Sequence, residues 1–170
     1  MMLIQKWLLW RDGADIVNTK YYKATIPNGL EVYETNNTRN LLSILEFNNN
    51  IYHVTVSSDE KIAYLSSSNG LEVVDINNSY NPYIIGSLIL GKRLNKVILL
   101  ENKKLALISD ELSIKVINIS DSNKLTILKS TSFDLDEIHH LTFSKDKRLV
   151  YVAVGDGIMI LDDNLSLNRK

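Results

Sequence analysis

The chain has 170 residues, 45% hydrophobic and 23% charged, which excludes a disordered polypeptide and suits one domain with a real core. Nineteen basic residues against 20 acidic give a formal net charge of -1, so there is no electrostatic basis for nucleic-acid recognition. With zero cysteines the chain has no disulfides, thiolate catalysis or Cys-ligated zinc, and no apolar run approaches the roughly 20 residues that span a bilayer.

The N-terminal stretch from Met1 to Trp10 is apolar, but Lys6 interrupts it and no small-residue cleavage site follows. It reads as a buried strand or short helix rather than a signal peptide, which makes the cytoplasm the default compartment. Further on, Leu30-Glu31-Val32-Tyr33-Glu34 is the first of four related stretches. Forty-one residues later stands Leu71-Glu72-Val73-Val74-Asp75, then 43 later Ile114-Lys115-Val116-Ile117-Asn118, then 44 later Ile158-Met159-Ile160-Leu161-Asp162. The flanks repeat as well, since Val54 to Leu65 aligns without a gap on Leu141 to Val152. In the first copy, Asp15-Ile16-Val17 makes a poor first strand and Tyr21-Tyr22-Lys23-Ala24 a loose second.

The second copy carries the clearest pattern. Strands are predicted over Val54 to Val56, Ile62 to Ser66, Leu71 to Ile76 and Tyr83 to Leu90, rich in β-branched and aromatic residues and bounded by turn residues. Ser-Ser-Asp-Glu-Lys closes the first hairpin. Asn69-Gly70 is expected to close the second as a type I′ turn with φ > 0 at both positions. Pro27-Asn28-Gly29 and Gly155-Asp156-Gly157 take the same slot in the first and fourth copies. Pro82 suits the first residue of a fourth strand. In the third strand Leu71 and Val73 face one way, Val74 and Ile76 the other. Burial on both faces implies sheets stacked face to face. Four strands in a period of 40–45 residues is the pattern of a propeller blade.

The strand-three motif, with Ala63-Tyr64, Asn69-Gly70 and Asn81-Pro82 around it, resembles the LVIVD repeat of β-propeller proteins. The resemblance implies a propeller fold and an unassigned or non-catalytic role of the kind found in its mostly bacterial and archaeal members, and it allows an exported or surface protein. It supplies no catalytic residues. The expected fold is therefore all-β, a propeller of about four four-stranded antiparallel blades in a single domain. Blade repeats fall at about 11–50, 51–93, 94–137 and 138–170. After Asp162 no convincing fourth strand remains, whereas Leu3 to Trp10 stands in a fourth-strand register before the first copy. Residues 1–10 are thus a candidate closing strand for the last blade. The other arrangements are an open arc, a fragment of a larger LVIVD-repeat protein, or a homodimer that joins head to tail.

His53 and His140 precede the first strands of the second and fourth copies, at the same repeat position; Lys96 holds that position in the third copy and Asp12 in the first. First strands line a propeller's channel, so these four residues are expected at its mouth, where a small anion or polar ligand could bind. The bland alternative is four ordinary polar strand ends. A metal is not expected, because Lys96 would oppose a cation. Asp134 to His140 reads as a solvated loop between blades, in which His139 and His140 point to opposite faces and do not share an ion. Ser57 and Ser144 sit in turns and no Gly-x-Ser-x-Gly elbow exists; Asp75 and Asp162 end third strands as turn formers. No phosphate loop, dinucleotide motif or EF-hand is present. The function expected is a non-enzymatic interaction or scaffold module that binds a protein or small ligand on one ring face, with no cofactor. The competing reading is a propeller hydrolase or lactonase with its site at the channel.

Overall fold

A computed structural model of the chain describes residues 13–17, 19–27, 29–35, 40–132, 137–144, 146, 148–155 and 157–162. The candidate closing strand 1–10, Asp12 and the residues after Asp162 lie outside the described residues.

Among the described residues fifteen strands form four antiparallel sheets, each from consecutive segments. The first holds β1 (Ala14–Val17), β2 (Lys20–Thr25), β3 (Gly29–Glu34) and β4 (Asn40–Glu46); the second β5 (Ile51–Val56), β6 (Ile62–Ser67), β7 (Gly70–Asp75) and β8 (Tyr83–Ile89). The third holds β9 (Lys96–Leu100), β10 (Leu105–Ser109), β11 (Ser113–Asn118) and β12 (Thr126–Ser132), with a 3-10 turn over Glu101–Lys103. The fourth, within the described residues, holds β13 (Ile138–Phe143), β14 (Leu149–Val154) and β15 (Gly157–Asp162). The short first strand of the first copy forms after all, as Asp15 pairs with Tyr22 and Ile16 with Tyr21. The stretch read as a loop before His140 ends earlier than expected, since Ile138, His139 and His140 already belong to β13.

The turns are built by side chains. Ser57 Oγ donates to Asp59 Oδ1 at 2.7 Å and accepts from the Ile62 N–H at 3.0 Å; Ser144, Asp146 and Leu149 reproduce this at 2.6 and 3.0 Å. Both serines therefore hold hairpins. Asp75 accepts from the Asn77 N–H at 2.9 Å, and its counterpart Asn118 accepts from the Ser120 N–H at 2.9 Å. Only an acceptor oxygen is needed there, which explains why acid and amide interchange. The third copy lacks a turn glycine. Instead the buried Asp110 carboxylate accepts the Ser113 N–H at 2.7 Å and pairs with Lys115 Nζ at 2.8 Å.

The turn before Leu71 is not type I′. Among the described non-glycine residues positive φ occurs at Glu60 and Lys104, so Asn69 lacks it, while Gly70 has φ +146°. Ser67 organises this turn instead: its Oγ accepts from Asn69 N–H at 3.2 Å and Gly70 N–H at 3.1 Å and donates to the Gly70 carbonyl at 3.0 Å. The Asn69 carbonyl is turned outward to accept from Leu90 and Gly91.

Packing between sheets makes the core. Leu30 and Val32 join Ala63, Val74 and Ile76 between the first and second sheets. Leu71 and Val73 join Val97, Ile108 and Ile117 between the second and third. Ile114 and Val116 join Leu141, Val152 and Leu161 between the third and fourth. The third strands of the second and third sheets are thus apolar on both faces because they have a sheet on either side, and each such side chain contributes about 1.5–3 kcal/mol by leaving water. The bulge opposite the third strand also recurs, at Val32/Tyr33, Val73/Val74 and Val116/Ile117.

Gly70 tests this register. A Cβ there would meet the Leu88 carbonyl, and φ +146° already disfavours an L side chain. Gly70→Ala is expected to lower unfolding free energy by about 2–3 kcal/mol, measured by urea denaturation. An unchanged midpoint would show that β7 tolerates a side chain at its first residue.

Candidate functional site

Strands β1, β5, β9 and β13 are the first strands of their sheets, and neighbours in this series touch. The ladders fix which residues are equivalent. His53 stands opposite Ser66, Lys96 opposite Ser109 and His140 opposite Ala153. In the first sheet Ala14 stands opposite Lys23, one step further along, so the equivalent slot falls on Gly13 and not on Asp12. Gly13 has φ +56°, and a Cβ there would strike the Tyr52 carbonyl. Its own carbonyl accepts from the Val54 N–H at 3.1 Å, so the first two sheets meet here backbone to backbone.

The other three sequence-predicted residues do converge. Lys96 Nζ lies 2.8 Å from His140 Nε2, and Thr55 Oγ1 lies 3.4 Å from His53 Nδ1 while donating to the Val97 carbonyl at 2.8 Å. A small cavity of about 250 Å³ adjoins His53 and Lys96, lined also by Asp15, Thr55 and Thr142. Burial, reinforced by the Lys96 charge and by His140, pushes His53 down to about 3. Burial also lowers Lys96, and burial with the Lys96 charge lowers His140. Asp15 is raised by burial, against the pull of the Val56 N–H that it accepts at 2.8 Å. At neutral pH the cluster is therefore two neutral imidazoles and one ammonium. It offers donors and acceptors in a fixed array rather than a concentrated positive charge.

Sequence reasoning missed the larger feature at the entry of these strands. β5 carries a bulge between Ile51 and His53, and β13 carries the same bulge between Ile138 and His140. A bulge re-aims the extra residue. Here the extra residues are Tyr52 and His139, and both line an open cleft of about 810 Å³ with Lys23, Arg93, Asn95 and Glu137. The Arg93 guanidinium sits 4.1 Å from the Tyr52 ring centroid, and Asn95 Nδ2 donates to the Ile138 carbonyl at 3.3 Å. The ungapped alignment of Tyr52-His53 on His139-His140 was the available signal, but it does not reveal which of each pair stands outside the ladder. Among the described residues no group of three or more His, Asp and Glu gathers closely enough to hold a metal ion.

Comparison with known proteins shows the fold. No family model matches the chain, and neither does any curated protein sequence. In solved structures it is similar to Kuenenia stuttgartiensis hydrazine synthase, with a TM-score of 0.75 at 11% identity over 89% of this chain and 46% of that one. It is also similar to the Cps50 (Swd1) beta-propeller domain of Myceliophteria thermophila, with a TM-score of 0.71 at 15% identity over 89% of this chain and 55% of that one. The chain therefore has a β-propeller fold, and it spans about half the length of these structures.

The depressed His53 gives a pH signature. Its folded pKa of about 3 lies below the ordinary 6.5, so the folded state disfavours the proton that the unfolded state accepts. Its effect on stability is absent above about pH 6.5 and grows as a loss when pH falls from there toward 3. His53→Gln is expected to flatten that acid limb in chemical denaturation across pH 7 to 4. A profile parallel to the parent chain would mean that His53 takes its proton normally in the fold.

Proposed function

We propose that the chain is a non-enzymatic β-propeller interaction module that binds an extended protein segment across the face where the first strands begin. The observation that carries this reading is the open cleft shared by Lys23, Tyr52, Arg93, Asn95, Glu137 and His139. Its lining mixes cations, the two carboxylates of Glu31 and Glu137, an amide and an aromatic. That suits a polar peptide, whose backbone and side chains need both donors and acceptors, and Arg and Tyr are both enriched among the residues at the energetic centre of interfaces. Arg93 is exposed yet already held over Tyr52, so less side-chain freedom is lost on binding. The repeat units 11–50, 51–93, 94–137 and 138–170 serve in this reading as blades of one domain, and their strand-three motif resembles the LVIVD repeat. His53 and Tyr52, and His140 and His139, are chain neighbours, so His53, Lys96 and His140 offer further polar contacts one ladder step from the cleft residues.

Peptides selected from a random display library on the immobilised chain test the proposal. Their affinity is expected to fall about tenfold or more on Arg93→Ala and on His139→Ala, and to be unchanged on Lys124→Ala, which alters an exposed residue away from the cleft. Failure to recover any peptide whose binding depends on Arg93 or His139 would overturn the reading.

A further inference from the structure

The polar groups of the open cleft are unequally committed. Lys23 Nζ faces Glu31 Oε2 at 3.8 Å, and the same carboxylate oxygen accepts from the Tyr33 hydroxyl at 2.7 Å. Asn95 Nδ2 is spent on the Ile138 carbonyl. Arg93 is the contrast. Its guanidinium lies 4.1 Å from the Tyr52 ring centroid, and among the described residues its N–H groups meet no acceptor. A guanidinium laid on a ring is held by its face, which leaves the donors along its edge for a ligand.

The chain beside Arg93 is also fixed. The Leu94 N–H donates to the Ser67 carbonyl at 3.0 Å, the Leu94 side chain is fully buried, and the Asn95 N–H donates to the Ser109 carbonyl at 2.8 Å. The bulge between Ile51 and His53 supplies the ring, because it turns Tyr52 out of its ladder and into the cleft lining. The guanidinium is therefore positioned before a ligand arrives, and little side-chain freedom is left to lose. Glu137 is the uncommitted carboxylate of the same cleft, but its side chain is exposed and nothing among the described residues holds it.

We propose that the segment bound in this cleft carries an acidic side chain whose carboxylate seats on Arg93 through two parallel N–H···O bonds. The inference rests on the peptide reading above and narrows it. The fork of donors on a guanidinium matches the two oxygens of a carboxylate. The charges set the size of the anion. Lys23 and Arg93 share the lining with Glu31 and Glu137, so a singly charged carboxylate is accommodated where a doubly charged phosphate group would be repelled. Tyr52 acts through Arg93 as a positioning residue.

The test uses peptides selected from a random display library on the immobilised chain. Those whose affinity depends on Arg93 are expected to share an Asp or Glu. Changing that residue to Asn or Gln is expected to weaken binding about tenfold or more on the parent chain and less than about twofold on Arg93→Gln. Arg93→Lys keeps the charge without the fork and is expected to retain only part of that coupling. Tyr52→Phe is expected to preserve the coupling and Tyr52→Leu to reduce it, a readout that loss of folded protein alone does not move. Arg93-dependent peptides without an acid would overturn the acidic partner and leave the peptide reading standing. So would an acid whose removal costs the same on the parent chain and on Arg93→Gln, or peptides that depend only on His139. A library that yields no peptide dependent on Arg93 or His139 would overturn both.

Discussion

Everything in this chain depends on third strands that are apolar on both faces. Such a strand cannot exist at the surface of a one-layer sheet, so it forces sheets to stack. Once stacked, Leu71 and Val73 lock the second sheet to the third while Val74 and Ile76 lock it to the first. The same division of labour runs through β11, whose Ile114 and Val116 pack toward the fourth sheet and Ile117 toward the second. It makes each sheet's stability conditional on its neighbours, as expected for repeat architectures whose units cannot bury a core alone. Among the described residues the counterparts of Leu71 and Val73 in the fourth sheet, Ile158 and Ile160, are exposed.

The polar residues divide by their place in that scaffold. Those at the hairpins, Ser57, Ser67, Asp75, Asp110, Asn118 and Ser144, are consumed by backbone N–H groups and carry no chemistry of their own. Those at the first strands are brought together because successive sheets repeat one register about one axis. Lys96 meets His140 for that reason, although 44 residues separate them. Burial then sets their charge. Both histidines are held below their ordinary pKa, and the Lys96 amine beside them is lowered by burial as well. A cleft of opposed charges at the strand entries is the more versatile surface.

The sequence by itself determined the fold class, the four-strand unit and the division of faces along Leu71 to Ile76, because hydrophobic period and repeat spacing are local properties. It also determined that His53, Lys96 and His140 share a slot. It could not place the fourth member of that slot, since the weak first copy hides the ladder that puts Gly13 there. It misjudged the Asn69-Gly70 turn, because a serine two residues upstream supplies the hydrogen bonds that the dipeptide alone would have had to accommodate with φ. The tertiary structure alone decided that bulges throw Tyr52 and His139 out of their ladders and into the cleft beside Arg93. A bulge is a two-against-one mismatch between strands, and a single strand's sequence carries no record of its partner's count. Exposure of the last repeat's interface was likewise invisible in the sequence: Ile158 reads as core by every local criterion, and only the absence of a described sheet against it makes it a surface.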